Sequence, residues 1–141
     1  MNRDYAELTR RDKRSLIFHL LYVLESYEYD IDLQKIVTNL NTAYDLDIPL
    51  NAEEIVIATE IISKREELDQ VYEPLLSNWR IERLGVCTRL VLRYAIWELK
   101  YTELSSTIII NEAIELAKCF CEKDAHKFIN GILDEVLKIT M

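Results

Sequence analysis

The hydrophobic residues of this chain recur at intervals of three and four positions along most of its length. Near the N-terminus the recurring residues are Leu16, Ile17, Leu20, Leu21 and Leu24. This interval places their side chains on one face of an α-helix. Thr9 and Asp12, just before them, have the spacing of a capping box, in which each side chain bonds the other residue's backbone N–H. The pattern therefore predicts a first helix from about Thr9 to Glu28.

The middle of the chain keeps the helical spacing. A short helix is predicted around Ile36, Val37 and Leu40. A longer helix is predicted from Asn51 onward, and it must kink or restart near Pro74 because proline cannot donate a helical hydrogen bond.

The last third of the chain predicts three more helices. They cover residues 86–100, the segment after the Ser105–Ser106 cap, and the segment after a cap at Asp124. The run Ile108–Ile110 has strand propensity, but a lone strand would have no partner. We therefore interpret this run as the first turn of a buried helix.

The composition excludes several classes of protein. Only two glycines and two prolines occur in 141 residues, too few for a turn-rich β-sandwich or for a collagen-like or low-complexity chain. Gly85 and Gly131 lie too far apart to form a phosphate-binding loop. We therefore expect an all-α single domain of about seven helices over residues 1–141, with residues 1–8 as a flexible N-terminal tail.

The net charge of −8 is unevenly distributed along the chain. Residues 1–14 carry +2, residues 15–76 carry −10, residues 77–101 carry +3, and the remainder carries −3. Two short basic segments therefore lie in an acidic chain. Because salt screens charges beyond about 8–10 Å, such segments can bind a polyanion despite the acidic total.

The cysteine usage and the N-terminus favour a cytoplasmic protein. Three cysteines without C-x-x-C spacing fit a reducing compartment. The N-terminus lacks the apolar core of a signal peptide, and no uncharged apolar run of about 18 residues could span a bilayer. We therefore expect no membrane partner.

The candidate chemical groups do not form a recognisable catalytic or metal site. Cys119 and Cys121 lack the second ligand pair typical of zinc sites. His19 and His126 lack a nucleophile at a recognisable spacing. We therefore expect that the protein is not an enzyme and that it uses no metal, cofactor or small-molecule substrate.

Several segments carry a resemblance to a known family. The most specific are Trp79-x-x-x-Arg83-Leu84, Leu92–Leu99 (LRYAIWEL), Ile110–Lys118 (INEAIELAK) and His126–Asp134 (HKFINGILD). Together with Arg11-x-x-Arg14 near the N-terminus, they resemble the NusB family of bacterial transcription antitermination factors. The acidic middle of the chain matches that family only in its helical pattern.

The resemblance implies both a fold and a function. The fold would be NusB-like, with about seven helices in two sub-bundles. The protein would bind boxA-type single-stranded RNA together with the ribosomal protein NusE. That pair joins the RNA polymerase antitermination complex, chiefly during ribosomal RNA transcription. The family includes monomers and homodimers, so the oligomeric state stays open.

A basic cluster marks the start of the first helix. It consists of Arg10, Arg11, Lys13 and Arg14. From the residues alone, a solvated helix start is the preferred interpretation of such a cluster. The helix macrodipole nevertheless disfavours cations there by about 0.3–1 kcal/mol, a cost that an external anion such as an RNA phosphate would offset. The resemblance strengthens this RNA interpretation. Asp12, at a position that the family often fills with a basic residue, predicts weaker and more salt-sensitive binding.

Two aromatic residues are candidate base-stacking residues. Tyr22 lies about two and three helical turns beyond Arg14 and Arg11, so these side chains are predicted to project from similar sides. Its ring could stack on an RNA base or belong to the core. The resemblance adds Phe128 and the nearby Asp124 as RNA contacts, although the pattern around Phe128 alone favours the core.

The acidic middle segment suits a basic protein partner such as NusE, through electrostatic steering. We assign Glu66 and Glu67 to that contact. Arg80 and Arg83, in the second basic segment, either face solvent or a protein partner or extend the RNA surface.

Two alternatives to an antitermination factor remain open at this point. The first is a diverged NusB-fold module that binds proteins and has lost RNA binding. The second is the detached RNA-binding domain of an RNA cytosine methyltransferase. The sequence contains neither a cofactor-binding domain nor a Pro-Cys catalytic motif, so the second alternative is the weaker one.

Overall fold

The computed structural model describes residues 4–76 and 81–140 and is 78% helical. Its α-helices are α1 (Arg10–Ser26), α2 (Leu33–Tyr44), α3 (Glu53–Ser63), α4 (Arg65–Tyr72), α5 (Val86–Tyr101), α6 (Ser106–Phe120) and α7 (Ala125–Thr140). No strand occurs in the described residues, and none of their helices is long and apolar enough to cross a membrane. The predicted all-α fold with about seven helices is confirmed.

The chain divides into two compact units, as the resemblance to a family with two sub-bundles implied. The first unit, Met1–Ile62, carries α1, α2 and nearly all of α3. The second, Ser63–Met141, carries α4, α5, α6 and α7. Within the first unit α1 packs on α2, and within the second α6 packs on both α5 and α7.

Helix α1 begins where the capping box predicted. The Thr9 hydroxyl accepts a hydrogen bond from the Asp12 N–H at 3.0 Å, and the Asp12 carboxylate accepts one from the Thr9 N–H at 3.0 Å. The apolar face of the helix is buried. The helix ends at Ser26 rather than Glu28, because Glu28 and Tyr29 adopt left-handed backbone conformations with φ of 53° and 64°.

Part of the expected N-terminal tail is ordered by long-range contacts. Tyr5–Glu7 form a short 3-10 turn. The backbone N–H of Tyr5 donates to the Asp47 carboxylate at 2.6 Å, and the Tyr5 hydroxyl donates to the Glu54 carboxylate. Glu54 is only 3% exposed, so the phenol satisfies a buried acceptor that would otherwise cost about 1–3 kcal/mol. Within the segment expected to be a flexible tail, the described residues therefore include one, Tyr5, that bonds to distant parts of the first unit.

The prediction of one long helix from Asn51 is wrong, because two helices occur there. Helix α3 begins at Glu53 and ends at Ser63, and Lys64, with φ of −107° and ψ of 11°, separates it from α4. Pro74 lies in a 3-10 turn after α4, beyond this first interruption. Buried apolar residues keep their helical spacing across Lys64, so periodicity alone does not reveal a break of one residue.

Helix α5 lies in the core of the second unit. Every residue from Val91 to Glu98 is buried, which is typical of a helix with neighbours on all sides. The Arg93 guanidinium forms two hydrogen bonds with the Asp69 carboxylate on α4, at 2.7 Å from Nε and 2.8 Å from Nη2. The Arg93 side chain is 7% exposed and the Asp69 side chain 18%. This internal ion pair joins α4 to α5.

The two predicted caps in the last third lie immediately before their helices. Ser105 precedes α6, and its hydroxyl accepts a hydrogen bond from the Ile108 N–H at 3.2 Å. The Ile108–Ile110 run is the first turn of α6, as predicted. Asp124 precedes α7 with a left-handed φ of 69°, a conformation that aspartate tolerates better than most residues. Its carbonyl accepts a hydrogen bond from the Lys127 N–H at 3.1 Å.

Candidate nucleic-acid interface

The exposed face of α1 presents Arg11, His19 and Tyr22, and we call it the α1 face. Successive helical residues are rotated by about 100°, so Arg11 and Tyr22 lie within about 20° of each other around the helix axis. All three residues are exposed, Tyr22 by 42%. Ser15 and Ser26 lie on the same side and are small and polar. The α1 face therefore combines a cation with two rings.

Arg14 does not share the α1 face. Its position is rotated by about 80° from Tyr22, toward the buried side of the helix, and the residue is only 8% exposed. The prediction that Arg14 projects beside Arg11 and Tyr22 is therefore wrong. Arg10, by contrast, is exposed in the first turn of α1.

Lys13 lies on the side of α1 opposite Tyr22, about 180° away. Its Nζ lies 5.1 Å from the centroid of the Tyr5 ring, within the range of a cation–π contact. Burial and the hydrogen bond to Glu54 raise the pKa of Tyr5 to about 12, so the phenol keeps its proton at neutral pH. Lys13 therefore contacts another part of the first unit and lies off the α1 face.

A cleft in the second unit brings together Arg83, Asp124 and Phe128. The cleft has a volume of about 250 Å³, and all three residues line it. Arg83 and Asp124 are exposed, whereas Phe128 is half-buried. Asp124 and Phe128, the two predicted RNA contacts, therefore lie in one cleft with Arg83. Arg83 was predicted to face solvent or a protein partner or to extend the RNA surface.

The lining of this cleft includes a close approach between Gly85 and Glu122. A Cβ atom added to Gly85 would lie 3.0 Å from a carboxylate oxygen of Glu122, so a larger residue would force that side chain to move. The buried Thr88 hydroxyl donates a hydrogen bond to the same carboxylate at 3.3 Å. Arg83 and Lys123 also line the cleft, so it contains two cations as well as the Glu122 carboxylate.

Of the two cysteines considered for metal binding, Cys119 is exposed, whereas Cys121 is half-buried close to a third cysteine, Cys87. Cys121 ends α6 with an extended backbone, and its thiol lies near the Cys87 thiol at the start of α5. Burial raises the pKa of the Cys121 thiol to about 12 and also raises the pKa of Cys87. Both thiols are therefore protonated and weakly nucleophilic. The described residues contain no group of three or more side chains that could hold a metal ion.

The two carboxylates assigned to a protein partner are both exposed on α4. Glu67 accepts hydrogen bonds from the Tyr101 hydroxyl and from the Lys100 ammonium, the latter at 3.2 Å, and these bonds lower its pKa. Among the residues that the structure describes, no hydrogen bond or ion pair engages the Glu66 side chain. Glu66 is therefore the better candidate for an external contact.

Arg80, which was predicted to contact a protein partner or RNA or to face solvent, lies outside the described residues.

Two features of this interface were not predicted from the sequence. His19 was considered only as a catalytic group, although its position three residues before Tyr22 would have placed it beside that ring on the α1 face. The contact between Tyr5 and Lys13 left no local signal, because Tyr5 is positioned by residues more than 40 positions away.

Comparison with known proteins relates this chain to transcription antitermination proteins. Residues 11–138 match the NusB family. The transcription antitermination protein NusB of Macrococcus caseolyticus is 34% identical over 131 residues, which cover 93% of this chain and 98% of that protein. The protein of the same name from Helicobacter pylori is 33% identical over 130 residues, which cover 92% and 93%. These relatives are antitermination proteins, which confirms the expectation that the chain is not an enzyme.

A solved structure supports the same relationship. T. maritima NusB is 31% identical and superimposes with a TM-score of 0.78, covering 93% of this chain and 92% of that chain. The family match extends over nine-tenths of the sequence, from Arg11 in the first turn of α1 to Lys138 in the last turn of α7. This chain belongs to the NusB family.

Proposed function

We propose that this protein is a transcription antitermination factor that acts in the cytoplasm. It binds boxA-type single-stranded RNA together with the ribosomal protein NusE. The assembly then joins the RNA polymerase antitermination complex, chiefly during ribosomal RNA transcription. The observation that carries this proposal is the α1 face, where Arg11 and Tyr22 lie exposed and in line in a member of the NusB family.

The two residues suit different parts of a single strand. An arginine binds phosphate oxygens through charge-assisted hydrogen bonds. An exposed tyrosine ring can stack on an unstacked base, which contributes about 1–3 kcal/mol. The cleft with Phe128 supports a second contact of the same kind, because a half-buried ring lies there beside the exposed Arg83.

The structure favours modest RNA affinity when the protein acts alone. Four cations were predicted at the start of α1, but Arg14 is largely buried and Lys13 is engaged with Tyr5. Fewer phosphate contacts release fewer counterions, so binding should be weaker than four cations would give. It should also depend less steeply on salt, which reverses the greater salt sensitivity expected from Asp12. The same observation favours, as a second candidate, a NusB-fold module that binds only proteins.

The decisive experiment is a titration of a fluorescent boxA-type RNA, followed by anisotropy, with and without purified NusE. We expect weak binding to the protein alone and tighter binding with NusE present. The logarithm of the binding constant should fall with the logarithm of salt concentration, by about 0.7 per phosphate contact for a single strand.

An RNA of scrambled sequence is the control for this titration. It should bind less tightly than the boxA-type RNA when NusE is present. Absence of any binding with NusE at low salt would leave the protein-interaction module as the better description.

Charge reversal at Glu66 tests the acidic partner surface. We expect Glu66→Lys to weaken NusE binding about threefold to tenfold, chiefly by slowing association, because exposed interfacial charges act through steering. Surface plasmon resonance with immobilised NusE separates the association and dissociation rates. Glu66 is preferred to Glu67 because reversal at Glu67 would also break its bonds to Tyr101 and Lys100.

The matched control for Glu66→Lys is Asp134→Lys, which reverses an exposed carboxylate on α7. That variant should bind NusE like the wild type. Equal affinity of the Glu66 variant and the wild type would remove α4 from the partner surface.

A further inference from the structure

His19 and Tyr22 form an adjacent pair of exposed rings on the α1 face. Residues three apart on a helix are surface neighbours, with Cβ atoms about 5–6 Å apart. Their positions differ by about 60° around the axis, so both rings can face the same ligand. Both residues are exposed, Tyr22 by 42%.

The polar atoms of the two rings make no hydrogen bond or ion pair with the part of the chain that the structure describes. The Tyr22 carbonyl accepts a hydrogen bond from the Ser26 hydroxyl at 2.9 Å, but this bond does not involve the phenol. In residues 4–76 and 81–140, no hydrogen bond or ion pair engages the imidazole of His19 or the phenol of Tyr22. Both rings therefore keep their faces and polar atoms available for a ligand.

The imidazole is suited to stacking on a base. Partial burial lowers the pKa of His19 below its usual value, so the ring is neutral at pH 7. A neutral imidazole has one donor and one acceptor nitrogen, and it can stack on a base while bonding to the edge of another. A positive charge on the ring is not needed for this contact.

The surroundings of the two rings favour RNA over a protein as the ligand. Arg11 lies on the same face, about two turns before His19, and residues 1–14 carry a net charge of +2 in a chain of −8. Ser15 and Ser26 supply small polar side chains beside the rings. A cation beside two exposed rings fits a single strand, which offers a phosphate backbone to the cation and unstacked bases to the rings.

We propose that His19 is a second base-stacking residue of this face. Together with Tyr22 it holds two successive unstacked bases of a single-stranded RNA, while Arg11 contacts the backbone. This inference rests on the proposed RNA-binding function and names a further residue of the same site. The α1 face would then stack two bases, on His19 and Tyr22, rather than one base on Tyr22 alone.

The test uses the full chain with NusE and a boxA-type RNA in which 2-aminopurine replaces one base at a time. His19→Ala should weaken binding about fivefold to tenfold, the low end of the range for one stacked base. It should also restore the fluorescence of 2-aminopurine at one position, next to the position that Tyr22→Ala affects. His19→Phe should retain both affinity and quenching, whereas His19→Gln should behave like His19→Ala.

Two further readouts separate a stacking contact from a general structural effect. The salt dependence of binding should be the same for His19→Ala as for the wild type, because a neutral ring neutralises no phosphate. Tyr44→Ala, which removes an exposed ring at the end of α2, is the matched control and should leave affinity and quenching unchanged.

The outcomes distinguish this inference from the proposed function. If the wild type binds RNA and Tyr22→Ala weakens it, but His19→Ala does not, the inference is wrong and the proposed function stands. If His19→Ala lowers the affinity for NusE without RNA and leaves RNA binding unchanged, the ring contacts protein and the inference is again wrong. If the wild type does not bind RNA with NusE present, both fail together.

Discussion

Replacing Arg93 with methionine is expected to lower the free energy of unfolding by about 3–5 kcal/mol. The guanidinium forms two hydrogen bonds with the Asp69 carboxylate, and the Tyr72 hydroxyl donates to the same carboxylate at 2.9 Å. Removal of the cation leaves a carboxylate that is 18% exposed without its charged partner. In the low dielectric of the interior, such an unpaired charge is strongly unfavourable.

The measurement is urea denaturation followed by circular dichroism, with thermal melting as a second readout. A loss of this size corresponds to a decrease of roughly 10–20 °C in Tm for a chain of this length. Simultaneous replacement of both partners by apolar residues, Arg93→Met with Asp69→Leu, should recover part of the loss, because no charge is then left unpaired.

The matched control is Lys138→Met on α7. Lys138 pairs with Glu135 at 3.2 Å, but the two side chains are 72% and 52% exposed. Exposed pairs contribute only about 0.2–1 kcal/mol, so the free energy of unfolding of this variant should be close to that of the wild type. A change below about 1 kcal/mol for Arg93→Met would show that the internal pair contributes no more than a surface one.

The helices of this protein could be predicted from the sequence because local rules determine them. The apolar spacing and the Thr9 and Ser105 caps each act within one or two turns, and the structure agrees with them. The break at Lys64 could not be predicted in this way. The apolar spacing continues on both sides of that residue, and the break falls next to the boundary between the two units.

The candidate site was less predictable because burial decides which cations reach a ligand. Arg11 and Arg14 are indistinguishable as residue types, but their positions on α1 place one on the exposed face and the other at 8% exposure. Long basic side chains can pack their aliphatic stems along apolar surfaces. The residue type alone does not reveal which arginine is buried in this way. The contact of Lys13 with Tyr5 depends on Asp47 and Glu54, far away in the sequence.

Arg11→Ala and Tyr22→Ala are expected to weaken RNA binding through different physical terms. Loss of the Tyr22 ring should cost about 1–3 kcal/mol, or roughly 5- to 150-fold in Kd, and leave the salt dependence unchanged. Loss of the Arg11 charge should reduce the slope of log K against log salt by about 0.7. Anisotropy titrations of a boxA-type RNA with NusE, repeated over a salt series, measure both quantities.

Tyr22→Phe and Lys13→Met are the matched controls for these two variants. Tyr22→Phe keeps the ring and should retain most of the affinity, since stacking does not require the hydroxyl. Lys13→Met removes one charge, as Arg11→Ala does, but Lys13 lies opposite the α1 face and its Nζ contacts the Tyr5 ring. Its salt slope should therefore stay closer to that of the wild type. Equal slopes for Arg11→Ala and Lys13→Met would mean that RNA binding responds to the summed charge of the N-terminal segment, and the α1 face would then have no special role.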